Sequence, residues 1–475
     1  MKKLFLFLLP FFLVISCGKG PETVTIQSDP SDLFTAPDTS NAEVDTSDEE
    51  FVHVKLGEIA AIESLDPLFS FSNSEWRIIN LIYQGLVEIG ENGTLIPGLA
   101  KSWDINDDST QFTFYLKTDV YFHDSPVFES ATGRRFVAQD VKYIFERMAH
   151  NNVPDFTADH FEDIHGFSAF HNEQTYVKNP SRRVLNTVDG VQVRNDSTVS
   201  FIMNRSAPDF LTRLAHPMAS IYPKEIVSSA NDPIQQAVGT GAFRFVSKEG
   251  NAHLLTPNDD YSKDIPAINR LDIISGLTER DLFQEFARNN LDALIELGPS
   301  TLLTVADSTG NLLQSYYENY TLDQTSVSAK YQLYYNENSG QSRQVSHLIS
   351  SIDPQSLLTN KIIGTVSVSE VDTAIAKNID KTQLIVTQTT HPLEIFFLNN
   401  LAPKANELGY TFAMNASYAI SNEITFSTKP FPGTQPFLTW ETPIFILSHS
   451  SITGVTVRHK PWLLDLSSIQ LKQDN

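Results

Sequence analysis

Few residues in the chain are spaced for chemistry. Phe122-His123-Asp124 sets an imidazole beside a carboxylate, as general acid–base work requires. No nucleophile or second base lies near it, and the triplet reads as a turn after a strand. His160, His165 and His171, with Glu162 and Asp163, are ligand types for a metal. Their spacing matches no tight helical pair, so they read as a polar surface loop and no metal is expected. Gly239-Thr240-Gly241 lacks Walker spacing and a following Lys, and reads as a turn entering Phe243-Arg244-Phe245. The chain has no His-Glu-x-x-His, no Gly-x-Ser-x-Gly and no glycine-rich nucleotide loop. Neither an enzyme nor a cofactor is therefore expected. One cysteine, Cys17, excludes an intramolecular disulfide framework and a Cys-based zinc site.

The position of Cys17 gives it a sharper meaning. Met1-Lys2-Lys3 precedes Leu4 to Ile15, which is apolar apart from Pro10, and Ser16-Cys17-Gly18 follows. Twelve apolar residues make a helix of about 18 Å, short of a hydrocarbon core of roughly 30 Å. This is the pattern of a signal peptide over residues 1–16, removed on export. Val14-Ile15-Ser16-Cys17 resembles a bacterial lipobox, with Ile15 a mild departure. That resemblance implies a lipidated Cys17 held in a lipid bilayer. Gly18 is compatible with sorting to an outer membrane. Gly18 to Glu50 carries nine acidic residues against one basic, Lys19. Residues 17–50 thus read as the lipidated cysteine followed by an acidic, flexible tether.

The elements that position any site must come from the remainder. The 475 residues are 41% hydrophobic and include 31 Phe, too much for a disordered chain and enough for two or three domains. A net charge of −23 argues against nucleic-acid binding, which needs a basic face, and against polybasic membrane attachment. Val52, Val54 and Leu56 alternate with His53 and Lys55 as in a strand. Ser72-x-x-Glu75 fits a capping box opening a helix with Trp76, Ile79, Ile82, Tyr83 and Leu86 on one face, ending at Gly85 to Gly90. Glu91-Asn92-Gly93-Thr94 is a hairpin turn, and Phe112, Phe114 and Leu116 mark a second strand. Val141, Ile144, Phe145 and Met148 give an amphipathic helix over Gln139 to His150. Val191 to Met203 is a hairpin about Asn195-Asp196-Ser197-Thr198. Helices alternate with strands without a repeat, so the class is mixed α/β.

A series of segments resembles one family. Leu65-Asp66-Pro67, Ile82-Tyr83-Gln84-Gly85-Leu86-Val87, Pro97-Gly98-Leu99-Ala100-Lys101-Ser102-Trp103 and Phe112-Thr113-Phe114-Tyr115-Leu116 come in order. Val120-Tyr121-Phe122-His123-Asp124, Ala138-Gln139-Asp140-Val141-Lys142-Tyr143, Ala207-Pro208-Asp209-Phe210-Leu211 and Tyr222-Pro223-Lys224-Glu225 follow. Val238-Gly239-Thr240-Gly241-Ala242-Phe243, Asn258-Asp259-Asp260-Tyr261 and Asn290-Leu291-Asp292 complete the series. Together they resemble the family 5 extracellular solute-binding proteins of ABC transporters, the oligopeptide- and dipeptide-binding type. The family also places Thr before the helix near Ala138, where Val137 gives up a good N-cap.

The resemblance implies a two-lobed, class II periplasmic-binding-protein-like α/β fold of mixed sheets and three subdomains. Domain I would be 51–75 with 185–270 and 446–475, domain II 76–184, and a reduced domain III 271–445. It implies a monomer in the cell envelope, facing the periplasm or the exterior. There it would enclose a peptide or similar extended polar solute between closing lobes and deliver it to an ABC permease. The loop Phe71-Ser72-Asn73-Ser74 matches a region that often lines the cleft.

After about residue 330 the likeness thins. The Trp-x-x-Asp-Tyr-x-Asp-Pro-like stretch, whose acid often pairs with a peptide amino terminus, is missing. Trp440-Glu441 is a candidate substitute; its plainer reading is a loop aromatic beside a surface acid. The shortened segment leaves a second function open, a non-transport surface sensor or interaction lipoprotein built on the same fold.

Overall fold

The alternating Val54 and Leu56 build strand β1 (His53–Glu58), both side chains fully buried. A computed structural model of the chain describes residues 51–228, 233–263, 267–352, 357–358, 363–368, 383–387, 391–415, 426–427 and 434–472. The signal segment, Cys17 and the acidic tether lie outside the described residues.

β1 runs parallel to both of its neighbours, Arg270–Ile274 and Ala293–Ile295. Among the described residues it belongs to an eleven-stranded mixed sheet. On one side the sheet continues antiparallel through Arg270–Ile274 into Ala252–Pro257 and Phe243–Glu249. On the other, Ala293–Ile295 pairs with Leu438–His449, which pairs with the 16-residue strand Tyr320–Tyr335. Gln383–Thr387, Thr411–Asn415 and Phe426–Ser427 extend that side. The two long strands form a ribbon with one irregularity: pairing jumps from Gln324↔Phe445 to Ser328↔Pro443.

A separate antiparallel sheet joins Ala100–Ile105, Gln111–Leu116, Thr198–Ile202 and Val191–Asn195. Phe112, Phe114 and Leu116 face inward, as their alternation predicts. The helix Ala138–Met148 covers the sheet with Val141, Ile144, Phe145 and Met148, all fully buried. Phe145 and Phe114 both meet the Phe201 ring edge-on, with centroids 4.8 and 5.7 Å away. Val137 supplies no cap, as expected; instead Asp140 accepts from the Val137 N–H at 3.0 Å.

Helix α1 (Asn73–Ile82) begins with the predicted capping box: Ser72 accepts from the Glu75 N–H and Glu75 accepts from the Ser72 N–H. It stops at Ile82, one turn short of the expected end near Gly85. The cause is the Gly239-Thr240-Gly241 turn, whose Gly241 N–H donates to the Ile82 carbonyl at 2.8 Å. That approach demands glycine. A Cβ at Gly239 would sit 2.1 Å from the Ile82 carbonyl oxygen. His123 locks the same turn: its backbone N–H donates to Gly239 O at 2.8 Å and its Nε2 bonds Gly241 O at 3.0 Å.

Two main cores result. The larger gathers β1, α1, the four-stranded sheet and the helix Ala138–Met148. The second lies at the far end of the ribbon and holds Leu333, Leu348, Leu384, Phe397, Tyr410 and Phe437. A small cluster of Ile59, Ala60, Leu393 and Trp440 joins elements of both.

Candidate functional site

In a parallel sheet, ligands bind beyond the carboxyl ends of the strands, where the chain order switches sides. β1 is such a point. The chain leaves it for Arg270–Ile274 on one side, then crosses through the helix Glu279–Ala287 to Ala293–Ile295 on the other. Two carboxylates therefore end adjacent strands: Glu58 closes β1, and Glu296 follows Ile295, its partner in register.

α1 brings a cation to them. Ser74 and Arg77, three residues apart, share one helical face. Arg77 Nε and Nη2 fork onto Glu58 at 2.7 and 2.6 Å, and Nη2 also donates to Glu296 Oε2 at 2.7 Å. Arg77 Nη1 donates to Pro461 O at 2.7 Å, and Ser74 Oγ donates to Glu58 Oε2 at 2.8 Å. All four side chains are buried, Glu296 being 2% exposed. Burial alone would lower the Arg77 pKa; Glu58 and Glu296 outweigh it and hold the guanidinium above its ordinary range. Glu296 Oε1 is buried with no hydrogen-bond partner among the described residues. Glu296 is also left-handed, φ +61°, a conformation that costs a non-glycine residue about 1 kcal/mol.

Next to this cluster is the seam. Ile59 and Ala60, directly after Glu58, pack on Leu393 and Trp440. The Tyr331 ring lies 5.7 Å from Trp440 and 5.0 Å from His391, which caps the helix Pro392–Glu407. Tyr331 OH and Trp440 Nε1 are likewise buried without partners among the described residues.

A chain of rings borders α1 on the other side. Phe71 meets Phe156 at 6.2 Å, Phe156 meets His160 at 5.1 Å, and His160 meets His216 at 6.3 Å. His216 continues to Trp462 at 4.4 Å and Trp76 at 4.7 Å. Burial, reinforced by His160 and Lys460, lowers His216 to a pKa of about 3. His216 is thus neutral, and its Nδ1 accepts from the Met218 N–H at 3.2 Å.

The structure separates the expected site residues. Ser74 is interior and holds Glu58. Ser72 is the helix cap, Asn73 the first helical residue, and Phe71 leads the ring chain. Glu75 fixes their loop by accepting from the N–H groups of Glu63, Ser64, Phe71 and Ser72. Trp440-Glu441 is not a loop. Both residues lie in Leu438–His449, which is paired on both edges, with Tyr331↔Trp440 and Val366↔Trp440. Strand alternation puts Trp440 into the seam, 2% exposed, and leaves Glu441 exposed. The two side chains cannot serve one contact together. The histidines also part company. His160 bonds Phe156 O, His165 bonds Asn204, His171 bonds Ala149 O, and Asp163 pairs with Arg213.

Sequence reasoning missed Glu58, Arg77, Glu296 and Tyr331. Glu296 carried a signal, a lone ion within the apolar stretch Leu294-Ile295-Glu296-Leu297; Arg77, two residues after Glu75, carried none.

A groove of about 410 Å³ lies elsewhere, between Leu277, Gln284 and Arg288. Its Arg288 is already paired with Glu285 at 3.0 Å, and it shares no lining residue with the seam.

The family model for bacterial extracellular solute-binding proteins, family 5 (middle) matches residues 94–345. The chain is similar to di/tripeptide-binding protein 1 of Pseudomonas aeruginosa, 30% identical over 190 residues, 38% of this chain and 33% of that protein. It is also similar to heme-binding protein A of Haemophilus influenzae, 31% identical over 200 residues, 40% and 34% of the two chains. The matched stretch thus spans about a third of the length of these curated relatives. The Escherichia coli murein tripeptide binding protein MppA superposes with a TM-score of 0.68 at 13% identity, over 90% of this chain and 99% of that one. NikZ from Campylobacter jejuni, in complex with Ni(L-His), gives 0.61 at 17% identity, over 85% and 95%. At such identities the likeness speaks for the fold, the mixed α/β fold of periplasmic binding proteins.

Proposed function

The chain belongs to the family 5 bacterial extracellular solute-binding proteins, and on that premise we propose that it is the receptor of an ABC importer. It captures peptides, or a similarly extended polar solute, at the seam and passes them to a membrane permease. One observation carries the reading. Three buried polar groups, Glu296 Oε1, Trp440 Nε1 and Tyr331 OH, surround the carboxyl end of β1 without partners among the described residues. Each such group costs on the order of 1–3 kcal/mol until something bonds it. A polar guest between the two cores would do so, and its differential affinity would shift the receptor toward the closed state.

In this proposal domain I comprises 51–75, 185–270 and 446–475, domain II 76–184, and a reduced domain III 271–445. Residues 1–16 are a signal peptide, 17–50 the lipidated tether, and the mature monomer faces the periplasm or exterior from a membrane. A Cys17→Ser variant is then expected in the soluble extracytoplasmic fraction after cell fractionation. If the variant stays with the membranes, the anchor is wrong.

Native mass spectrometry of the purified chain tests the capture role. Co-purifying small peptides, one per protein, are expected. A tripeptide mixture at a hundred times its Kd should add about 2.7 kcal/mol of stability and raise Tm by a few degrees. The direct packing of Ile59 and Ala60 on Leu393 and Trp440 favours the second reading, a surface sensor or interaction lipoprotein with no cargo. An empty protein with no melting shift would leave that reading standing.

A further inference from the structure

The two most exposed large apolar side chains among the described residues share one loop. Tyr176 and Val184 are each 77% exposed. Tyr176 ends the helix Phe167–Tyr176, and the chain then turns through Pro180–Arg182 and comes back. The return is fastened. Glu173 accepts from the Val184 and Leu185 N–H groups, both at 2.8 Å. Arg183 donates to Val177 O at 3.0 Å and to Gln174 O at 3.1 Å. Asn179 Oδ1 accepts from the Ser181 N–H at 3.1 Å and shapes the tip. The fold thus holds two apolar side chains out in water on a loop that is itself pinned, which marks an interaction site.

The charge of the loop is also out of keeping with the chain. From Gln174 to Val188 the sequence has Lys178, Arg182 and Arg183 and no acidic residue, in a protein of net charge −23. Arg183 is taken up in the fastening. Lys178 and Arg182 are exposed, with no hydrogen bond or ion pair among the described residues. Glu173, the acid at the near end, is engaged by the two N–H groups above.

This composition decides between partners. A protein partner would need a broad apolar core, and Lys is depleted from such interfaces. A soluble polyanion would leave Tyr176 and Val184 in water. A bilayer with anionic headgroups engages all four side chains. A Tyr ring sits at headgroup level, an apolar side chain reaches the acyl boundary, and Lys and Arg are drawn to the lipid phosphates. The net charge of −23 opposes any broad contact with such a surface, so the contact has to be local.

We propose that the loop 176–184 is a docking site for the anionic phospholipid surface of a membrane. It shares no residue with the seam, and it stands whether or not a solute is captured there or Cys17 carries a lipid. A chain tethered to a bilayer would meet the surface at a raised effective concentration.

The test uses the whole chain after the signal segment, with Cys17→Ser so that no acyl chain contributes. Cosedimentation is measured in low salt with vesicles of phosphatidylcholine alone and of equal parts phosphatidylcholine and phosphatidylglycerol. Each cation near an anionic surface contributes about fivefold, so the mixed vesicles should be preferred by roughly 25-fold. Salt should erode the preference. Lys178→Glu with Arg182→Glu should abolish it at unchanged Tm. Tyr176→Ser with Val184→Ser should weaken binding several-fold and keep the salt dependence. A control of equal charge change at exposed sites elsewhere, Lys101→Glu with Lys330→Glu, should bind nearly as the parent does. No binding by the parent, equal binding to both vesicle types, or an equal loss in the control overturns the proposal. Soluble polyglutamate that displaces the chain from vesicles at matched charge also overturns it, in favour of an acidic protein partner.

Discussion

Acidification from about pH 7 to pH 4 is expected to cost the folded chain roughly 3 kcal/mol through His123 alone. Its ring is 4% exposed, and burial lowers its pKa to about 4, with Arg244 adding to the effect and the bond to Gly241 O opposing it. Both ring nitrogens are occupied. Nε2–H donates to Gly241 O at 3.0 Å, and Nδ1 accepts from the Gly239 N–H at 3.3 Å. A second proton on Nδ1 would face that N–H. The folded pKa lies below the ordinary value of 6.5, so the unfolded chain takes up the proton first. The stability is fully present above about pH 6.5 and drains away as the pH falls toward 4, with about 2 kcal/mol gone by pH 5. His253, lowered to about 4 chiefly by burial, acts in the same direction. Urea titrations at several pH values give the slope, and His123→Gln should flatten it between pH 6.5 and 5. An unfolding midpoint that does not move over that interval would refute the account.

Removing Asp66 should be costlier. Its carboxylate, fully buried, receives Arg147 at 3.0 and 2.6 Å, the Leu68 N–H at 3.1 Å and the Ile234 N–H at 3.0 Å. Arg147 is itself 1% exposed, donates to Tyr222 OH at 2.5 Å and lies over the Phe69 ring. Asp66→Ala takes the Asp66 carboxylate away from that buried guanidinium and from two backbone N–H groups, a loss of about 3–5 kcal/mol. An Asp66→Leu/Arg147→Leu double variant should be less damaged than Asp66→Ala, because an apolar pair carries no desolvated charge. Equilibrium denaturation of the three proteins decides. A loss below about 1 kcal/mol for Asp66→Ala would show that the pair is not what secures the Leu65-Asp66-Pro67 turn.

What was legible in the sequence was local. Ser72 and Glu75 lie three residues apart, so their capping box follows from helix geometry. The Asn195–Thr198 hairpin and the inward faces of Phe112 and Phe114 follow from strand alternation. The early stop of α1 was not legible, because the Gly241 N–H that ends it lies more than 150 residues away, roughly a whole domain's length of chain. The strand through Trp440 is only half announced: Leu438-Thr439-Trp440-Glu441 alternates as a strand does, but Pro436 and Pro443 on either side read as loop, and its pairing partners, Tyr331 and Val366, come from distant stretches. The candidate site suffers most from this. Arg77 is 19 residues from Glu58 and 219 from Glu296, and only the sheet order sets them side by side.

The ribbon of Tyr320–Tyr335 and Leu438–His449 carries a last implication. The second core is built from the far ends of those two strands and from the chain between them, and the strands run side by side, so the chain goes out and comes home through one doorway. A segment attached in that way is topologically an insert. It can be lengthened, trimmed or exchanged by evolution or by an engineer without severing a single strand of the host. The permanent commitments of the architecture sit on either side of the doorway, before Tyr320 and after His449, and the far module is the interchangeable part.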